Sequence, residues 1–233
     1  MNFLFDLYGT LADVWTDEQK SSLWEGVARI LGEEDGALVK NEYHAICKRL
    51  SDERAHNFAE FDLLRVFEEM LEKRGMDREN AQALAREFRL LSREDPTLFP
   101  YVKEMLAGLK QRGAGVYLVS NAQACFTRDE LDELGLASCF DGIIISSEVG
   151  TKKPDLEIFY IAIKGWGIKG QENYYVGNDM HDDVLGAFVA GLKTVYIQTR
   201  QSGSYPDIEV VPDHVVSTHE EMKDLLWELA ERK

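Results

Sequence analysis

The sequence predicts an α/β fold, a doubly wound parallel sheet interrupted early by an all-helical insertion. Three observations carry that prediction. An apolar run opens the chain at residues 2–7, residues 14–98 show helical patterning only, and beyond residue 100 short apolar runs alternate with amphipathic stretches. Continuously apolar strands between amphipathic helices belong to a parallel sheet buried on both faces.

Each element follows in order. Residues 2–7 read as a buried strand, with Tyr8-Gly9-Thr10 as its exit loop. Thr16 and Gln19 have capping-box spacing ahead of an apolar face made by Leu23, Val27, Ile30 and Leu31. Leu63, Val66, Phe67, Met70 and Leu71 repeat with helical period, and Gly75 supplies a stop. Residues 78–93 form a further helical stretch, closed by Pro96 and Pro100. Helix faces at 102–109, 127–135, 155–164 and 182–190 then alternate with strands at 116–119, 142–145, 174–176 and 194–197. A short strand at 215–216 precedes a second capping box, Thr218 and Glu221, and a last helix. The expected domains are a core of residues 1–13 and 99–233, and a helical unit of residues 14–98.

A formal net charge of -16 argues against nucleic acid or an anionic membrane as partner, since both are repelled at long range. A small-molecule substrate is the expected partner. Cys47, Cys125 and Cys139 are widely spaced and form no Cys-x-x-Cys pair, so they read as reduced thiols of a cytoplasmic protein. Asp6 interrupts the apolar N-terminus and no basic segment precedes it, which makes a poor signal peptide. No run approaches the roughly 18 apolar residues of a membrane span. Trp15 and Trp24 are expected to be exposed, joining insertion to core. Oligomeric state has no signature here.

Ligands of open α/β sheets sit beyond the carboxyl ends of the strands, so the residues leaving each strand are the ones to read for chemistry. The first strand delivers Asp6, Tyr8, Gly9 and Thr10, and the second Ser120 and Asn121. The third leads to Lys152, Lys153 and Pro154, and the fourth to Asn178, Asp179, His181, Asp182 and Asp183.

Asp6-Leu7-Tyr8-Gly9-Thr10-Leu11 resembles the first motif of the haloacid dehalogenase superfamily. Ser120-Asn121 resembles the second, Lys153-Pro154-Asp155 the third, and Gly177 through Asp183 the acidic fourth. The order holds over essentially the whole chain. The resemblance implies a Rossmann-like core with an inserted cap, an Asp6 nucleophile, and Lys153 and Tyr8 beside it. It implies phosphate contacts from Gly9, Thr10, Ser120 and Asn121. It also implies Mg²⁺ held by Asp6, the Tyr8 backbone carbonyl and the fourth motif. Asn178 stands where the first aspartate of that motif usually lies, so Asn178, Asp179 and Asp183 all stay open as ligands.

The chemistry makes sense of these residue types. A carboxylate nucleophile divides a difficult hydrolysis into two steps. Ser120 with the donors after it, and the Gly9-Thr10 amides, can hold an oxyanion, while Lys153 neutralises charge. Two carboxylates 4 Å apart repel by about 4 kcal/mol at an effective dielectric of about 20, and a hard divalent cation removes that penalty. Thr10 and Ser120 also suit helix caps. Asp182 suits a helix N-terminus, and Lys152, His181 and Cys125 are expected to be bystanders.

Tyr8 divides the family. Its phosphatases usually carry an acid–base aspartate there, whereas tyrosine resembles the dehalogenases, whose leaving halide needs no proton. Against that, the fourth motif is rich in acid, Phe159 stands where dehalogenases place a tyrosine, and nothing around Arg29 matches their carboxylate-gripping arginine. The expected function is a magnesium-dependent phosphatase of a small phosphorylated metabolite. The alternative is a metal-independent 2-haloacid dehalogenase; a third reading is a binding protein that kept the fold but turns over weakly. Arg49, Arg54 and Arg65 are the insertion's candidates for meeting an anionic substrate, with solvated helix faces as their ordinary reading.

Overall fold

The computed structural model describes residues 1–53, 56, 58–168 and 172–232; Arg54 lies outside them. Strand β1 (Asn2–Phe5) is followed by β2 (Ala12–Asp13), then by helices α1 (Ser21–Ile30), α2 (Gly36–Asp52), α3 (Leu64–Glu72) and α4 (Ala81–Ser92). The chain returns through β3 (Thr97–Leu98), α5 (Val102–Gln111), β4 (Gly115–Ser120), α6 (Ala124–Glu133), β5 (Gly142–Ile145), α7 (Ser146–Val149) and α8 (Leu156–Gly165). Then come β6 (Asn173–Gly177), a π-helical turn at Met180–Leu185, α9 (Gly186–Val189), β7 (Lys193–Ile197), β8 (His214–Val216) and α10 (His219–Glu231).

Six strands form one parallel sheet in the order β5-β4-β1-β6-β7-β8. Strand β1 is central. The chain builds outward from it through β4 and β5, then crosses back to build β6, β7 and β8. That reversal opens a crevice at the carboxyl ends of β1, β4 and β6, where a doubly wound sheet takes its ligand. The period-2 alternation of strands decides which layer each side chain joins. Phe3 and Phe5 enter the layer under α5 and α10, whereas Leu4 enters the layer under α8 and α9.

Helices α1–α4 build their own hydrophobic cluster around Trp24, Tyr43, Phe67 and Phe88, joined from the core by Cys125 and Phe126 of α6. Strands β2 and β3 pair antiparallel where the chain leaves and rejoins the core. The segment after α2 is tied down separately. Lys152 donates its amide to the Phe58 carbonyl (3.0 Å) and Glu60 its amide to that of Gly150 (2.9 Å).

Two local expectations are corrected. No capping box forms at Thr16: α1 starts at Ser21 behind Lys20, whose side chain caps nothing. Thr16 instead bridges Arg93, and its hydroxyl accepts from Arg89 Nη1 at 2.8 Å. The pull of the returning chain overrides the local capping preference. Trp24 is buried, its indole N–H donating to the Glu18 carbonyl at 2.7 Å, while Trp15 is 51% exposed. The second capping site is present, with Thr218 Oγ1 accepting from the Glu221 amide at 3.1 Å. Among the described residues no helix is long and apolar enough to cross a membrane.

Candidate active site

Asp6 lies just past β1 at the crevice, its amide donating to the Val176 carbonyl of β6 at 3.0 Å. The chain then turns tightly, the Leu11 and Ala12 amides both closing on the Leu7 carbonyl. Gly9 makes this turn possible with φ of 84°, and a Cβ there would meet Asn178 Nδ2 at 2.6 Å. Thr10 is thereby brought under Asp6. Its hydroxyl donates to Asn178 Oδ1 (3.0 Å) and to Asp6 Oδ2 (3.3 Å).

Lys153 organises the other side. Its Nζ donates to Asp6 Oδ1 (2.8 Å), Asp183 Oδ1 (2.6 Å) and the Tyr175 hydroxyl (2.8 Å). An ammonium has three N–H donors and no acceptor, so these three contacts saturate it. Tyr175 can accept because its own proton goes to the Val119 carbonyl at 2.7 Å. The lysine is buried and its pKa stands well above normal: burial alone would lower it, but the Asp183 and Asp6 carboxylates outweigh that. Burial raises Asp183 above the ordinary carboxylate value, against the pull of Lys153. Gly177 is required beside it, because a Cβ there would run into the Asp183 carboxylate.

Asn121 supports the lysine loop. Its amide group donates to the Lys153 carbonyl and to Asp182 Oδ2, both at 3.0 Å, and its oxygen accepts from the Lys153 amide at 2.7 Å. Both side-chain N–H donors are spent there, and the side chain holds the Lys153 loop in place. Three of the amides expected as a cradle have partners within the chain. Gly9 donates to the Ala12 carbonyl (2.8 Å), Thr10 to Leu7 (3.3 Å), and Ala122, after Ser120, to Ser146 Oγ (2.9 Å). Ser120 is different: its buried hydroxyl has no hydrogen-bond partner. Such a group costs about 1–3 kcal/mol unless a ligand oxygen completes it.

The fourth motif divides. Asp179 caps the π-helical turn, its Oδ1 accepting from the His181 (2.9 Å) and Asp182 (2.8 Å) amides and its Oδ2 from the Tyr205 hydroxyl (2.8 Å). Asn178 and Asp183 face the site instead. The oxygen donors linked to Asp6 are Asn178 Oδ1, held with it by Thr10, and Asp183 Oδ1, across Lys153. Hard oxygen donors around a buried pair of carboxylates and one ammonium suit a divalent cation such as Mg²⁺.

Tyr8 turns its phenol away from this group. The hydroxyl donates to Glu130 Oε2 at 2.5 Å and lies 3.0 Å from Thr127 Oγ1, both on α6. Glu130, almost fully buried, also accepts from Arg89 Nε of α4 at 2.6 Å and pairs with Arg93 at 3.4 Å. Burial, reinforced by the Glu130 charge, drives the Tyr8 pKa upward. Of the remaining candidates, Arg49 pairs with Glu53 and Glu69 on an exposed face, and Arg29 and Arg65 are exposed. Cys125 is buried, its thiol pushed up to about 12 by burial, an unreactive state. His181 is a partial correction, since its Nδ1 pairs with Asp182 at 2.7 Å and its ring stacks on Tyr205.

A family model for haloacid dehalogenase-like hydrolases matches residues 1–191. The chain belongs to that family. It is 37% identical over 150 residues to a phosphoserine phosphatase of Thermus thermophilus, covering 64% of this chain and 59% of that one. A glyceraldehyde 3-phosphate phosphatase of Methanopyrus kandleri is 34% identical over 137 residues, covering 57% and 58% respectively. The chain thus spans about three fifths of the length of these curated relatives. A 2-haloacid dehalogenase from Pseudomonas syringae has the same fold, with TM-score 0.67 at 23% identity over 97% of this chain and 98% of that one.

Two residues of this family member's site escaped the sequence. Tyr175 lies on β6, where an apolar run was the available signal: between Tyr174 and Val176 it looks like core. It packs edge-on against Phe159 (5.4 Å, 71°), so the phenol beside Lys153 comes from β6 and not from position 159. Glu130 sits in the buried stripe of α6 between Thr127, Leu131 and Leu134. An acid on an apolar helix face was a readable signal of a buried partner.

Two predictions arise here. Tyr175→Phe removes one acceptor from a buried ammonium and should cost about 1.5–3 kcal/mol, measured by urea denaturation. His219 gives its Nε2 proton to the Thr10 carbonyl at 2.9 Å and stacks on Phe99 at 4.3 Å. Burial holds its imidazole below the ordinary 6.5. The folded state therefore takes up a second proton, on Nδ1, less readily than the unfolded chain does. Its contribution is complete above pH of about 6.5 and is lost as pH falls through the depressed value. Melting temperature should drop through that window, and more shallowly in His219→Gln.

Proposed function

We propose that the chain is a magnesium-dependent phosphatase that acts on a small phosphorylated metabolite through an aspartyl-phosphate at Asp6. The observation that carries this reading is the clamp on Asp6. Lys153 and Thr10 fix its two oxygens, and the unpartnered Ser120 hydroxyl lies at the carboxyl end of the neighbouring strand. Asp6 attacks phosphorus, Lys153 offsets the charge that gathers on nucleophile and phosphoryl oxygens, and Ser120 and Thr10 supply hydroxyl donors. Bound Mg²⁺, held by Asp6, the Tyr8 carbonyl and Asn178, would add charge neutralisation. Helices α1–α4 serve as a cap over the crevice. The phosphatase names of the relatives agree with this reading, and three free cysteines suit a reducing cytoplasm.

A 2-haloacid dehalogenase is the second reading, favoured by one observation: Tyr8 donates to Glu130, as suits a reaction whose leaving group needs no proton. The deciding experiment measures phosphate release from an aryl phosphate and chloride release from 2-chloropropionate, each with magnesium and with a chelator. Asp6→Asn should abolish the phosphatase activity. Chelator-indifferent chloride release without phosphate release would exchange the two readings.

A further inference from the structure

Resting on the phosphatase reading, we infer that the site is specialised for phosphates whose leaving group departs as a stable anion, above all acyl phosphates. The argument is an inventory of protons. An alkoxide leaving a phosphoryl group must be protonated as it departs; a carboxylate need not be. Apart from the Ser120 hydroxyl, a weak acid that suits a phosphoryl oxygen, the donors that touch Asp6 and the phenols beside it are committed. Each proton of Lys153 Nζ is directed at an acceptor: Asp6, Asp183 or Tyr175. The Thr10 hydroxyl is shared between Asp6 and Asn178, and the Tyr175 proton points at the Val119 carbonyl. Tyr8, two residues past the nucleophile, donates its proton to Glu130 at 2.5 Å, toward α6.

The groups at the rim are occupied in the same way. Glu60, from the helical unit, accepts from Gln123 Nε2 and Ser146 Oγ, each at 3.3 Å, so both oxygens are engaged as acceptors. Asp182 accepts from Asn121, and His181 pairs its Nδ1 with Asp182 and lays its ring on Tyr205. Among the described residues, no carboxylic acid or phenol near Asp6 has a proton free for a leaving oxygen, and the Lys153 ammonium has none left; Lys152, which lines the same cleft, is the ammonium the test must address.

An acyl phosphate needs none. An Asp6 oxygen forms the new bond to phosphorus as the bond to the bridging oxygen breaks, and the electron pair departs with the substrate's carboxylate. Water then attacks the aspartyl-phosphate. Its oxygen bonds to phosphorus, Asp6 leaves as a carboxylate with its electron pair, and both water protons remain on the product as dihydrogen phosphate. Each step expels a carboxylate, so neither requires an acid.

The test compares kcat/KM of the full chain, with magnesium, on acetyl phosphate, 4-nitrophenyl phosphate, phenyl phosphate and glycerol phosphate, beside Asp6→Asn. A positioned general acid contributes about 10²–10⁴-fold, so glycerol phosphate should lag acetyl phosphate by at least about 10²-fold. The fall should track leaving-group basicity, and Tyr8→Phe should keep the same slope. Glycerol phosphate within tenfold of acetyl phosphate would overturn the inference and leave the phosphatase reading standing. A slope that steepens in Tyr8→Phe, His181→Gln or Lys152→Met would also overturn it, by identifying the acid. Phosphate release from all four no faster than with Asp6→Asn would remove the phosphatase reading and the inference together.

Discussion

Replacing Lys153 with methionine should destabilise the protein by about 3–5 kcal/mol and abolish turnover. The side chain is nearly isosteric, so the loss measures charge. Asp6 and Asp183 would be left buried and unpaired, with Tyr175 deprived of its donor. The pH dependence should identify the cause. Asp183 is already raised by burial, and Lys153 is what holds it down. Without the lysine its folded value rises further above the unfolded one. A raised group contributes stability that is complete below the unfolded value, about 3.9, and is lost as pH climbs through the folded value. The variant's deficit, read from urea midpoints between pH 5 and 8, should shrink toward acid. A deficit independent of pH would mean that packing, not charge, was lost.

Glu130→Ala should have an effect of similar size for a different reason. Glu130 is the one carboxylate that Tyr8, Arg89 and Arg93 share. Removing it strands the mostly buried Arg89 guanidinium and the Tyr8 phenol, while Arg93 keeps Glu133 at 2.7 Å, again about 3–5 kcal/mol. Because Arg89 belongs to α4, Arg93 to its C-terminal cap and the glutamate to α6, the damage should concentrate where the helical unit meets the core. Limited proteolysis should cut in residues 14–98 before the core is touched. Glu130→Ala combined with Arg89→Ala should cost less than the sum of the single changes.

The parallel sheet was legible because its strands are apolar throughout, and each of the predicted strand segments overlaps an observed strand. Asp6, Lys153 and Asp183 were legible for a related reason. Strand exits are where an α/β sheet presents chemistry, and the residue types there were distinctive. Strands β2 and β3, two residues each, were too short to show any period. Helix α2 drew no attention because its buried positions, Val39, Tyr43 and Leu50, are thinly spread among polar residues. Partnerships were the least legible layer. Tyr8 meets Glu130 across 122 residues and Lys153 meets Asp6 across 147, and no local pattern encodes such pairings. Thus the type of Tyr8 was known while its direction was not, and Asp179, read as a candidate metal ligand, also caps the π-helical turn.

The antiparallel pairing of Ala12 with Leu98 and Asp13 with Thr97 has a bearing on how such proteins diversify. Seen from the sheet, everything between those residues is the tip of one β-hairpin, however long. Loop-closure cost grows only by about 0.6 kcal/mol per doubling of length, so the hairpin ends scarcely register what they carry. Residues 14–96 are in that sense a cassette that can be exchanged without re-registering a strand. The graft must still supply an apolar cover for Cys125 and Phe126 and cations for Glu130. A replacement that meets those three residues should fold on the existing core, bringing its own preference for substrates.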